Sequence, residues 1–259
     1  MKVIELYNKL CEIIPTSLSC EWDRDGLESC PEPEREVKKV LISLDITNEV
    51  IDEAIDNNVD VIISHHPIFF GGLGNMNALT FDGARAVKLA KNNIATMSFH
   101  TRLDALKDGV NDTLARRIGL SDIEVIGDDQ IGRIGNLGEE MDAVEYARFV
   151  KGALSYGEGD REASVSLSPA GRRVKRVALI GGGGGDFIRL AAESGADTYV
   201  TGDMKYHELL SASDFKVNLI TAGHFFTEYP VCEFLEKTLK EICPEAEVRT
   251  IFSNRIIEL

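Results

Sequence analysis

Residues 38–66, KKVLISLDITNEVIDEAIDNNVDVIISHH, lie over residues 175–203, KRVALIGGGGGDFIRLAAESGADTYVTGD, without a gap. Val40 meets Val177, Ile51 meets Ile188, Ala54 meets Ala191 and Asp60 meets Asp197. Each copy reads strand, turn, helix, turn, strand, and ends on a polar pair: His65-His66 in one, Gly202-Asp203 in the other. An apolar run such as Val61-Ile62-Ile63 after a helix-like segment predicts a parallel strand covered on both faces. The pairing predicts two similar α/β domains related by an internal repeat.

Outside the repeat the strand–helix alternation continues. Helices are expected over 81–93, 110–119, 141–154 and 205–213, with strands over 94–101 and 217–224. Turn residues and acids cluster at 119–132, GLSDIEVIGDDQIG, which sets the expected domains at 1–126 and 127–259. The last helix (230–243) and strand (247–253) are left open to pack back on the first domain.

Lys and Arg number 28 against 43 Asp and Glu, a formal net charge of −15. Such a surface repels phosphate backbones at long range, which disfavours nucleic acid as a partner but leaves room for a small anionic ligand or nucleotide at a local cation. No apolar stretch approaches the roughly 20 residues that span a bilayer, so no membrane association is expected. The opening MKVIELYNKLCEIIP reads as an amphipathic helix and not as a signal peptide. Five cysteines without CxxC spacing point to a reducing, cytoplasmic setting and away from a thiolate metal site.

Four of the five histidines fall at strand ends: His65, His66, His100 and His224. Two have an acid four residues on, His100 with Asp104 and His224 with Glu228. Open α/β sheets place ligand sites at the carboxyl ends of their strands. Imidazole and carboxylate without thiolate suit Zn²⁺, Fe²⁺, Mn²⁺, Co²⁺ or Ni²⁺. The set exceeds what one four-coordinate ion needs once a water position is kept open. It matches two ions bridged by a carboxylate at roughly 3.5–4 Å, the arrangement of two-metal hydrolases.

In order along the chain, WDRDGLE (22–28), LISLDIT (41–47), IISHHPIFF (62–70), FHTRLDA (99–105), GVNDTLA (109–115), TGDMKYH (201–207) and GHFFTEYP (223–230) resemble the successive motifs of the NIF-three-like family. Many of its bacterial members are described as GTP cyclohydrolase I type 2 homologues. The resemblance implies two similar α/β domains with a metal site in the cleft between them, in subunits forming a toroidal homohexamer. Carried over by motif, the metal ligands are His65, His66, Asp104, His224 and Glu228, with His100 or His207 moving protons. The implied activity is dinuclear metal-dependent hydrolysis, metal-bound hydroxide acting on a nucleotide or phosphoester. The alternative is a non-catalytic metal-binding scaffold or regulatory protein. Arg24 and Arg102 stand where the motif has Asn, placing cations where substrate is expected.

Three further features carry expectations. The glycine run in LIGGGGGDF (179–187) reads as a tight, closely packed strand-to-helix turn in preference to an anion loop. Asp203 takes the repeat position of His66. Trp22, the only tryptophan, reads as a core or subunit-contact anchor in preference to a stacking platform.

Overall fold

The computed structural model describes residues 1–256. Its strands are β1 (Gly26–Ser29), β2 (Lys39–Ser43), β3 (Val61–Ser64), β4 (Ala95–Ser98), β5 (Ser121–Ile126), β6 (Gly132–Met141), β7 (Ser166–Ser168), β8 (Val174–Gly183), β9 (Thr198–Asp203), β10 (Asn218–Thr221) and β11 (Glu247–Thr250). Among the described residues they form two sheets, ordered β1-β4-β3-β2-β11 and β5-β6-β8-β9-β10-β7. The chain divides into two compact units: Met1–Leu103 with Cys232–Ser253, and Asp104–Val231 with residues 254–256. Each unit is a mixed α/β layer structure around its own sheet.

The sheet register bears directly on the repeat. β2 and β3 run parallel with Val40 opposite Val61 and Leu41 opposite Ile62. β8 and β9 run parallel with Val177 opposite Thr198 and Ala178 opposite Tyr199. Both pairings correspond under the gapless overlay of 38–66 on 175–203. The acid at the start of the second strand repeats its work too. Asp60 Oδ2 accepts from the backbone N–H of Lys38 and Lys39 at 2.7 and 2.9 Å. Asp197 Oδ2 accepts from Lys175 and Arg176 at 2.9 and 2.7 Å. In each unit a buried carboxylate thus ties off the two amides that enter the first strand.

The cores correspond in the same way. Leu41, Ile51, Ala54, Val59 and Ile62 belong to the first core. Their counterparts Ala178, Ile188, Ala191, Ala196 and Tyr199 belong to the second. Across the paired strands Leu41 and Ile62 are exchanged for Ala178 and Tyr199, so a small residue faces a large one and the layer stays filled.

One connection departs from the sequence reading, and one that it left open packs back on the first unit. Residues 119–132 do not separate two elements: β5 pairs antiparallel with β6, and the turn between them holds Gly127 at φ +90° and Gln130 at φ +61°. The chain divides earlier, between Leu103 and Asp104. At the other end, β11 pairs parallel with β2, extending the first sheet.

Candidate metal centre

In the first unit the strand ends bring three histidines together. His65 directly follows β3, is buried, and sets Nδ1 3.0 Å from the Phe99 carbonyl oxygen. A carbonyl only accepts, so Nδ1 carries the proton and Nε2 keeps its lone pair. His66 sets Nδ1 2.8 Å from Oδ1 of Asp45, just beyond the end of β2. His100, beyond β4, sets Nδ1 3.1 Å from both oxygens of Asp23. His65, His66 and His100 offer ring nitrogens within 4.8 Å of one another.

Asp23 is itself fastened. It accepts from the Thr101 amide at 3.0 Å and the Thr101 hydroxyl at 2.6 Å. Burial alone would raise its pKa, but the hydrogen bonds from His100 and Thr101 outweigh it and hold the carboxyl below the usual range. It therefore stays an anion facing His100.

The second unit gathers a cluster of its own from β9 and a short helix. His224 and Glu228 are the ends of the helix His224–Glu228, so the four-residue spacing places both side chains on one face. Nε2 of His224 stands 3.2 Å from Oε2 of the buried Glu228, and its Nδ1 2.9 Å from Oδ2 of Asp203 at the end of β9. Burial would lower the pKa of His224, but the two carboxylates push it up to about 11. A place that holds a proton this firmly favours positive charge, and a metal ion would take the proton's place.

The glycines of LIGGGGGDF make room for these side chains. Gly182 has φ +67°, and a Cβ there would stand 2.1 Å from Oε1 of Glu228 and 3.0 Å from Nε2 of His224. At Gly202, opposite, a Cβ would stand 2.8 Å from Cα of His224. The close packing expected of the run is thus packing against the proposed ligands. Sequence reasoning did not connect them, because Gly182 and Glu228 lie far apart in the chain.

All four strand-end histidines share one feature: Nδ1 sits on a carboxylate or a carbonyl. Metal-binding imidazoles are held this way, with the distal nitrogen's proton fixing tautomer and orientation. The residues therefore fit divalent ions of the imidazole–carboxylate class.

The remaining candidates are placed as follows. Asp104 is buried on the helix Thr101–Ala105, and its carbonyl accepts from Asn111 Nδ2 at 3.3 Å. His207 is exposed near the start of the helix Tyr206–Leu210, and its ring makes no hydrogen bond or ion pair among the described residues. Arg102 does not reach toward a substrate. It is fully buried, donates from Nε to Asp25 at 2.7 Å, and lies over the Phe99 ring at 4.6 Å. Trp22 is no core anchor, being 62% exposed. Sequence reasoning passed over Asp23 and Asp45 as partners of the histidines, since 77 and 21 residues separate each pair and only sheet order brings them together.

The model of the DUF34/NIF3 (NGG1p interacting factor 3) family matches residues 1–257. A Clostridium acetobutylicum protein named GTP cyclohydrolase 1 type 2 homolog is 32% identical over 251 residues, covering 93% of this chain and 90% of that one. A Clostridium perfringens protein of the same name is 32% identical over 247 residues, with 93% and 92% covered. The crystal structure of a Staphylococcus aureus protein matches with a TM-score of 0.88 at 28% identity, covering 100% of this chain and 99% of that one.

Proposed function

Because the chain belongs to the DUF34/NIF3 family, we propose that it is a dinuclear metal-dependent hydrolase acting on a nucleotide or phosphoester. The observation that carries this reading is the common posture of His65, His66, His100 and His224, each with Nδ1 on a fixed acceptor. In this reading His65, His66, Asp104, His224 and Glu228 hold two divalent transition-metal ions. When bound, such ions supply Lewis acidity toward water and substrate near neutral pH.

The chain's own residues do the rest. Phe99, Asp45 and Asp203 orient their histidines, which spares the site the cost of ordering them at binding. The Asp23 carboxylate holds the proton on Nδ1 of His100, so Nε2 is the atom that takes up or releases a proton. His207 is the second candidate for proton transfer, from an exposed position. The name carried by the relatives points to a purine nucleotide as the first substrate to try. The toroidal hexamer implied by the motif resemblance belongs to the same reading.

The test loads the chelated protein with Zn²⁺, Mn²⁺, Fe²⁺, Co²⁺ or Ni²⁺ and measures bound metal and turnover on a panel of nucleotides and phosphoesters. The expected result is two ions per chain and hydrolysis of at least one substrate, both lost in His65→Ala. Two ions with no turnover on any substrate would overturn the hydrolase and favour a metal-binding scaffold. One ion per chain would overturn the dinuclear centre.

A further inference from the structure

We propose that Trp22, Phe70 and Arg24 form a recognition rim beside the first unit's histidines, for a planar heteroaromatic ring that carries a phosphate. This rests on the hydrolase reading only for its choice of substrate class. Trp22 and Phe70 are 62% and 59% exposed, although large aromatic side chains gain most from burial. They are not scattered. Their ring centroids lie 6.4 Å apart, and both rings approach His100 edge-on, Phe70 at 5.4 Å and 71°, Trp22 at 6.0 Å and 75°. Exposed aromatics gathered against a site's histidine, and not against the core, mark a surface built for a partner.

Arg24 gives the rim its charge. It is exposed, and its side chain makes no ion pair or hydrogen bond among the described residues. It lies along the loop that follows Phe70, with Cδ 4.0 Å from where a Cβ on Gly72 would stand. In a chain with 43 acids and 28 bases, an arginine left unneutralised beside two open rings is unusual. Guanidinium pairs with phosphate through parallel N–H donors, while a ring system stacks on Trp or Phe. The residue identities thus match one ligand class, the mononucleotide.

The experiment uses the chain's single tryptophan, whose fluorescence reports directly on Trp22. The full-length protein is titrated with GMP, with guanosine and with inorganic phosphate, correcting for ligand absorbance, as isolated and after chelation. GMP is expected to quench saturably. Phe70→Ala should weaken GMP and guanosine about tenfold, the scale of one lost stacking contact. Arg24→Asn should weaken GMP to a similar degree and leave guanosine unchanged. Both positions are exposed, so folding is not at stake. Absence of saturable quenching, or quenching that both variants leave intact, overturns the rim. So does tryptophan emission that shifts on protein dilution and ignores GMP, which would assign the patch to a second copy of the chain. The outcomes stay separable from the hydrolase reading: quenching without turnover sinks only the hydrolase, and turnover without quenching sinks only the rim.

Discussion

Gly182→Ala tests whether the glycine run exists to admit the ligands. The added Cβ would stand 2.1 Å from Oε1 of Glu228, where ordinary van der Waals contact begins at 3.4 Å. The carboxylate must therefore yield by roughly 1 Å, and Glu228, 4% exposed, has little space to yield into. Metal–oxygen bonds of roughly 2.0–2.2 Å do not survive such a shift. The variant should lose one or both ions, and with them the gain that ligands of the folded state confer, about 2.7 kcal/mol at a hundredfold excess over Kd. A second cost is independent of metal. Gly182 has φ +67°, a conformation that costs an L-residue roughly 1–2 kcal/mol. Gly183→Ala is the control, because no atom lies within 4 Å of its Cβ position. Metal content by elemental analysis, and thermal melts with and without metal, read both effects. Gly182→Ala should melt several degrees lower even without metal, at about 2–4 °C per kcal/mol. It should also show little further rise on adding metal. Retention of two tightly bound ions by Gly182→Ala, or equal loss in Gly183→Ala, would refute the argument.

Three further expectations follow from the same geometry. Glu228→Ala should lose both ions while His100→Ala keeps them, as elemental analysis will show; two ions retained in Glu228→Ala would mean the ligand assignment is wrong. Arg102→Asn leaves the carboxylate of Asp25 buried without its partner and should cost about 3–5 kcal/mol in urea unfolding; a cost below 1 kcal/mol would show the pair is dispensable. Burial raises the pKa of Glu28 to about 7, against hydrogen bonds from the Ile68 and Phe69 amides, so the folded state keeps a proton that the unfolded chain has lost. Stability should therefore fall, by about 3 kcal/mol, as pH rises from 4.5 to 7 and level off above, and Glu28→Gln should flatten that slope.

Legibility in the sequence followed the range of the interactions. The strand–helix units were readable because apolar period and turn residues are local, and the repeat because Asp60 and Asp197 stand at equal places in equal units. The histidines were readable because strand ends are where an α/β sheet presents chemistry. Their carboxylate partners were not. Asp23 reaches His100 only because β1 pairs antiparallel with β4, and Asp45 reaches His66 only because β2 lies beside β3. Arg102 was open to misreading for the same reason. A cation in a candidate motif looks functional until Asp25, 77 residues earlier, is seen to bury it. β5 was hidden among acids and turn residues because it is a half-exposed edge strand with no apolar run to betray it.

The repeat also shows how two similar units carry different side-chain clusters at their strand ends. Under the overlay, Asp45, which orients His66, corresponds to Gly182, where the absent side chain makes room for Glu228. His66 corresponds to Asp203, so the histidine–carboxylate pair is built from opposite ends in the two units: His66 with Asp45 in one, Asp203 with His224 in the other. The third strand breaks the equivalence. β4 sets Ala95 opposite Val61, and β10 sets Asn218 opposite Thr198, which aligns His100 with Gly223 and not with His224. The two His-x-x-x-acid segments are therefore one residue out of step. That step decides what each does. His224 starts its helix and shares a face with Glu228, whereas His100 precedes the helix Thr101–Ala105 and turns to Asp23. Equal spacing in the sequence thus yields a proposed ligand pair in one unit and a carboxylate-held imidazole in the other. Asp23→Ala would test the distinction, since it removes the carboxylate on His100 without touching any proposed ligand or a residue that orients one. It should depress turnover far more than metal content; equal loss of both would mean that His100 is held as a ligand after all.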